Sequence, residues 1–248
     1  MNTIVIKFLL YSLCLSFFTG GEITTIRTNH IQTEPKFILD HIGKFYSSHD
    51  YIYQELSYHL FADHKSSAPQ SIENGVFIKQ GDTYYSQLLS IESLTTKEYT
   101  IGIDNEEKEI MISNHLFLSP TNPLENIDSW ISAKSLIEIK QGSDGLNSLS
   151  FKIENGEIEE VFITYDINTY QVTRLVMNYR RSIQMETDTD SDFVKPRLEI
   201  EYHKTSFDNQ EKERLNINSY LIRKGTQWFL SAKYSDYELI NNIRDLPE

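Results

Sequence analysis

The chain has 248 residues and a formal charge of −13, with 36 Asp and Glu against 23 Lys and Arg. Its length allows one large domain or two small ones, with a core that needs neither metal nor disulfide. The acidity excludes phosphate-backbone recognition, which requires clustered Lys and Arg, and 15 Tyr and 13 Phe against 10 Gly and 6 Pro favour sheet over disorder.

The first residues read as a secretory signal peptide over 1–21. Lys7 precedes a nearly unbroken apolar run from Phe8 to Phe18, and Thr19, Gly20 and Gly21 supply the small residues before cleavage after Gly21. The run is too short for a comfortable membrane span; an uncleaved anchor is the other reading. Cys14, the only cysteine, falls inside this peptide, so the mature chain has no thiol. No Asn-x-Ser/Thr acceptor occurs, which fits a bacterial periplasm. Residues 22–248 read as a single domain, since no repeat, linker or composition shift divides them.

Thr33 and Pro35 open a helix whose stripe is Ile38, Leu39, Ile42, Phe45 and Tyr46. Tyr51 to Phe61 alternates as a strand, with Ile52, Leu56, Tyr58 and Leu60 on one face and Tyr53, Glu55, Ser57 and His59 on the other. Two hairpins follow. Val76 to Ile78 turns at Gln80-Gly81 and returns over Thr83 to Leu89, and Tyr99 to Ile103 turns at Asp104-Asn105 and returns over Glu109 to Ser113. Leu94 to Lys97 reads as the segment joining them.

Asn122, Pro123 and Glu125 then mark the start of a second helix with an apolar stripe of Leu124, Ile127, Trp130 and Ile131. Leu136 to Ile139 is a short strand. Asn155-Gly156 is the strongest hairpin signal, between a strand ending at Ile153 and a return over Ile158 to Asp166. Strands are expected over Gln171 to Ile183 and Arg197 to Phe207, with an acidic loop Met185 to Asp192 between them. Asp208 to Arg214 reads as a charged loop, Asn218 to Ala232 as the last hairpin around Lys224-Gly225, and Ser235 to Ile243 as a short helix or strand. The fold class is α+β, mostly β.

Three constellations invite chemistry. Asp188, Asp190 and Asp192, with Glu199, are spaced like a calcium loop, but Phe193 stands where Gly is needed and Pro196 breaks the frame, so a solvated acidic loop is the better reading. His59, Asp63 and His64 offer zinc-type ligands without ligand spacing, and an ordinary polar strand end is preferred. Tyr84-Tyr85, Trp130 and Trp228-Phe229 fit a pocket or plain sheet packing, and packing is the simpler account of each. No nucleophile elbow, Ser-x-x-Lys, His-Glu-x-x-His or phosphate loop is present. The residues give no reason to propose an enzyme, a metal or a cofactor.

The order of these elements is specific. ILDHIGKFYSS, YIYQELSYHLF, GVFIKQGDTYYSQLLS, YTIGIDNEEKEIMIS, NPLENIDSWISAKSL and SFKIENGEIEEVFITYD, in that sequence, resemble the LolA-like family of periplasmic lipoprotein carriers with its relatives LolB and RseB. The resemblance runs from Pro35 to Asn241 and is similar to divergent secreted members. It implies a curved antiparallel sheet forming an incomplete barrel, helices covering its concave side, and an apolar cavity that in the carriers holds acyl chains. It would be lined here by Leu56, Tyr58, Val76, Ile78, Ile101, Ile103, Ile127 and Trp130. The expected protein is a monomeric, non-catalytic, periplasmic binder of lipid or lipoprotein acyl chains. The alternative is a protein-interaction or envelope-sensor module on the same scaffold, without lipid cargo, that binds an envelope protein.

Overall fold

The computed structural model describes residues 35–114, 137–142, 144–154, 156–181, 183–186 and 191–243. The expected signal peptide, the Thr33 cap, the second helix with Ile127 and Trp130, and Asp188 and Asp190 lie outside them. Among the described residues no helix is long and apolar enough to cross a membrane.

Twelve strands form one sheet: β1 (Tyr51–Phe61), β2 (Ser71–Gln80), β3 (Thr83–Leu88), β4 (Ile91–Thr95), β5 (Tyr99–Asp104), β6 (Glu109–Asn114), β7 (Ile137–Gln141), β8 (Leu146–Lys152), β9 (Ile158–Asp166), β10 (Val172–Tyr179), β13 (Arg197–Ser206) and β16 (Glu238–Asn242). β11 (Ile183–Glu186) pairs with β12 (Ser191–Val194), and β14 (Leu221–Lys224) with β15 (Gln227–Leu230), as two separate hairpins. The order β16-β6-β5-β4-β3-β2-β1-β13-β10-β9-β8-β7 has two ends, so the sheet does not close. The pairs are antiparallel except β6–β16, where the C-terminal residues run parallel to the edge.

The chain divides into two compact units. The first takes residues 35–48, 57–73 and the described part of 122–203; the second takes 49–56, 74–114 and 204–243.

The first unit contains the helix α1 (Pro35–Ser47), which buries Ile38, Leu39, Ile42 and Tyr46 on one stripe. It stops where Ser47 and Ser48 turn their hydroxyls back onto the carbonyls of Lys44 and Phe45 at 3.3 and 3.0 Å, which satisfies carbonyls that a helix end leaves open. Its Tyr46 hydroxyl accepts a hydrogen bond from the Val172 amide of β10 at 3.3 Å, so α1 lies against this unit's strands. Register makes the strand face beneath it apolar from strand to strand. Leu149 opposes Ile163, which opposes Leu175, which opposes Ile200; Phe151 opposes Val161, which opposes Met177, which opposes Leu198. All eight are buried.

The second unit is built on β2 to β6. Ile78, Tyr85, Leu94, Ile101 and Ile112 form one cross-strand row, and the C-terminal segment packs on it with Tyr220, Leu221 and Tyr234. The β2–β3 turn requires glycine: Gly81 has φ +53 and donates its amide to the Asp50 carbonyl at 3.0 Å. A Cβ there would meet Asp50 Oδ1 only at 3.8 Å, so the cost of Gly81→Ala is conformational. Urea denaturation of the variant should show a loss of about 1 kcal/mol.

Candidate functional site

In the second unit the structure brings four of the eight expected cavity residues together. Val76, Ile78, Ile101 and Ile103 belong to one apolar cluster with Tyr51, Tyr53, Tyr85, Leu94, Ile110, Ile112, Tyr220, Leu221 and Tyr234. That face is not uniformly apolar. Val76 opposes Gln87, Gln87 opposes Glu92, and Glu92 opposes Ile103, so a polar pair sits in the middle of the face.

These polar groups are paired with one another. Tyr85 donates its hydroxyl to Glu92 Oε2 at 2.8 Å, and Asn105 Nδ2 donates to Glu92 Oε1 at 2.9 Å. Arg214 Nη1 donates to the Tyr85 hydroxyl at 3.0 Å and to Gln87 Oε1 at 2.8 Å. Tyr237 donates to Asn105 Oδ1 at 2.9 Å. Burial raises the Tyr85 phenol well above its ordinary value, and the Glu92 carboxylate beside it adds to the shift. The segment 211–237 is thereby fastened across the expected lining residues, and the arrangement closes this face rather than offering a reactive group. The sequence signal was present only as Gln87 and Glu92 interrupting apolar alternation; Arg214 lay in a stretch that reads as a charged loop.

Leu56 and Tyr58 lie on the face of β1 opposite Tyr51 and Tyr53, as the alternation of a strand requires. Leu56 is buried. In the first unit Tyr58 has its phenol pushed up to about 12 by burial. Tyr202 is raised further, by burial first and then by the nearby phenols of Tyr46 and Tyr58. Tyr179, at the end of β10, is raised by burial and by Glu157. Its hydroxyl is buried, with no hydrogen-bond partner among the described residues.

Ser57, His59, His203 and Glu201 gather on the other face of this unit. Ser57 Oγ is 2.9 Å from His59 Nε2 and 2.7 Å from His203 Nε2. Glu201 approaches that same His59 Nε2 at 3.9 Å. A Ser-His-carboxylate relay needs the carboxylate on the second ring nitrogen, and Ser57 is only 3% exposed, so the cluster does not make a nucleophile. The zinc-type trio is dispersed: His59 meets Ser57, His64 Nε2 meets the Tyr179 carbonyl at 3.0 Å, and Asp63 Oδ1 accepts from the Lys65 amide at 3.0 Å. Glu199, the closing carboxylate of the calcium spacing, faces Arg174 and Arg197. Among the described residues no three His, Cys, Asp or Glu side chains converge.

No protein-family model and no curated protein sequence matches the chain. Among solved structures, it is similar to an uncharacterized conserved protein from Thermus thermophilus, at 8% identity and TM-score 0.46 over 84% of this chain and 98% of that one. It is similar to a LolA superfamily protein from Nitrosomonas europaea, at 7% identity and TM-score 0.35 over 75% and 98%. It is also similar to an outer membrane lipoprotein-sorting protein domain from Vibrio parahaemolyticus, at 9% identity and TM-score 0.34 over 73% and 96%.

Proposed function

We propose that the chain is a non-catalytic, exported lipid- or lipoprotein-binding protein, and that the apolar face of the first unit takes the acyl chains. The observation that carries this is the Tyr179 hydroxyl, a buried donor that finds no acceptor among the described residues, beside an apolar face several strands wide. An unmet buried hydroxyl costs about 1–3 kcal/mol, and the ester carbonyl of an acylated ligand supplies the missing acceptor. Each acyl methylene taken out of water contributes about 0.8 kcal/mol, so the face needs no charged contact to hold a chain. Tyr58 remains in the proposed lining, together with Ile127 and Trp130; Leu56, Val76, Ile78, Ile101 and Ile103 belong to the second unit and take no part in it.

A second reading draws on the hydrogen-bonded closure of the second unit, which suits a module that binds an envelope protein without lipid cargo. Solvent extracts of the purified exported protein separate the two. The first reading expects acylated lipid in stoichiometric amount, and an extract free of lipid from protein that also fails to bind added phospholipid sinks it. Tyr179→Phe should leave thermal stability unchanged or raise it by up to about 1 kcal/mol, because the variant removes an unmet donor, while weakening phospholipid binding several-fold. A variant that instead loses more than about 1 kcal/mol shows that the hydroxyl has a partner within the protein.

A further inference from the structure

The hairpin of β14 and β15 departs from the rest of the chain in charge and exposure. Between Glu213 and Asp236 there is no acidic residue, while Arg214, Arg223, Lys224 and Lys233 all fall there, in a protein with 36 acids. The hairpin is a sheet of its own, closed by the turn Gly225-Thr226, with Gly225 at φ +64. One of its faces is anchored: Leu221 is buried in the second unit's core, and Leu230 and Trp228 pack against that core. Trp228 meets the Tyr99 ring edge-on at 5.2 Å.

The other face is bare. Ile222 and Phe229 are directly opposed across the two strands, and they are 40% and 42% exposed. Lys224 Nζ lies 5.3 Å from the Phe229 ring centre, and the Arg223 guanidinium lies 5.5 Å from the Trp228 ring. Arg223 also donates to the Gly225 carbonyl and to the Tyr99 hydroxyl. Among the described residues neither Arg223 nor Lys224 forms an ion pair. Lys224 shares the face of Ile222 and Phe229, while Arg223, opposite Trp228, is exposed at the edge of the other face. An exposed apolar pair, an aromatic at its margin and two cations without an ion pair on one small hairpin are the composition of a surface that enters the headgroup region of a bilayer.

We infer that the Leu221–Leu230 hairpin is a docking tip for an anionic lipid surface. Ile222 and Phe229 enter the acyl boundary, and Arg223 and Lys224 pair with phosphate. Charge complementarity selects this occupant. At physiological ionic strength charges interact over roughly 8 Å, so the acid-free tip is attracted although the whole chain carries −13. An acidic protein surface would answer the two cations but leave Ile222 and Phe229 unused. The docking does not depend on a lipid cargo.

The test is flotation of the full mature protein with vesicles of phosphatidylcholine alone and of phosphatidylcholine containing roughly one third phosphatidylglycerol. Wild type should partition onto the anionic vesicles about tenfold more strongly than onto the neutral ones. Ile222→Ser with Phe229→Ser should lower partition onto the anionic vesicles by about tenfold or more. Arg223→Gln with Lys224→Gln should remove the preference for them. Thermal unfolding of each variant checks that the core is intact, and single Phe229→Ser serves if the double variant does not fold. No partition by wild type, or equal partition by folded variants, overturns the inference. So does binding to an acidic peptide that matches the vesicle affinity. Retention of free fatty acid by the same samples reports on the proposed cargo and is read separately.

Discussion

Above pH 10 the protein should unfold as its phenols ionise. Tyr58, Tyr85, Tyr179, Tyr202 and Tyr220 all have phenols held above the ordinary value of 10.0, with burial the largest cause in each. The unfolded chain releases these protons near pH 10, whereas the folded chain keeps them, to about 12 in the case of Tyr58. The unfolded state therefore binds fewer protons in that window, and stability falls as pH rises. Below pH 10 the contribution is fully present. Each phenol adds a slope of roughly 1.4 kcal/mol per pH unit inside its window. Five acting together approach about 7 kcal/mol per pH unit where their windows overlap, the scale of an ordinary stability of about 5–15 kcal/mol. The check is the urea midpoint followed from pH 8 to about 12 alongside phenolate absorbance. Midpoint and absorbance should change together, and Tyr202→Phe should flatten the profile. Phenolate appearing in a chain that stays folded would show that water reaches these hydroxyls.

Glu199→Ala should cost about 3–5 kcal/mol. Glu199 is a buried carboxylate on β13, 4% exposed, and it contacts the guanidiniums of both Arg174 and Arg197. Arg197 Nε stands 2.9 Å from Glu199 Oε1 without directing its N–H at that oxygen, so this contact is an ion pair and not a hydrogen bond. Arg197 also stacks on the Phe61 ring at 3.8 Å, and it donates to the carbonyls of His64 and Ser66. It thus ties β13 to the loop after β1. Removing the acid leaves Arg197, whose side chain is only 15% exposed, with a partly buried positive charge, and an unpaired buried charge costs more than a well-made pair gains. Denaturant midpoints of Glu199→Ala and Glu199→Gln measure it, with Gln intermediate because its amide oxygen still accepts from arginine. A loss under about 1 kcal/mol would place the pair with ordinary surface bridges.

Most of the strands were legible because residues that alternate apolar and polar can sit on a half-buried sheet in only one way. Tyr51–Phe61 and Ile158–Asp166 appear with the expected bounds, and Gly81 sits in the turn expected of it. Between the two expected hairpins lies a further strand, β4, Ile91–Thr95, which overlaps the expected join Leu94 to Lys97 only at Leu94 and Thr95. Glu92 and Ser93 conceal its apolar residues, since Glu92 is directed at Tyr85 and Asn105 inside the unit. The parallel addition of β16 to β6 has no local signature, because pairing across more than a hundred residues depends on register and not on composition. The same holds at the candidate site. Val76, Ile78, Ile101 and Ile103 share a face by alternation, but what covers that face arrives from residues 214–237. Tyr179 falls in the strand expected over Gln171 to Ile183, but an unmet donor has no sequence signature, since that property depends on what surrounds the side chain.

The acyl-binding account is tested most directly by native mass spectrometry of the delipidated protein and of Tyr179→Phe. Each is titrated with a diacyl phospholipid and with the dialkyl ether lipid of the same chain length. Wild type should hold the ester lipid several-fold more tightly than the ether lipid, and the variant should bind the two alike. No adduct with either lipid, or the same ester preference in both proteins, would contradict it.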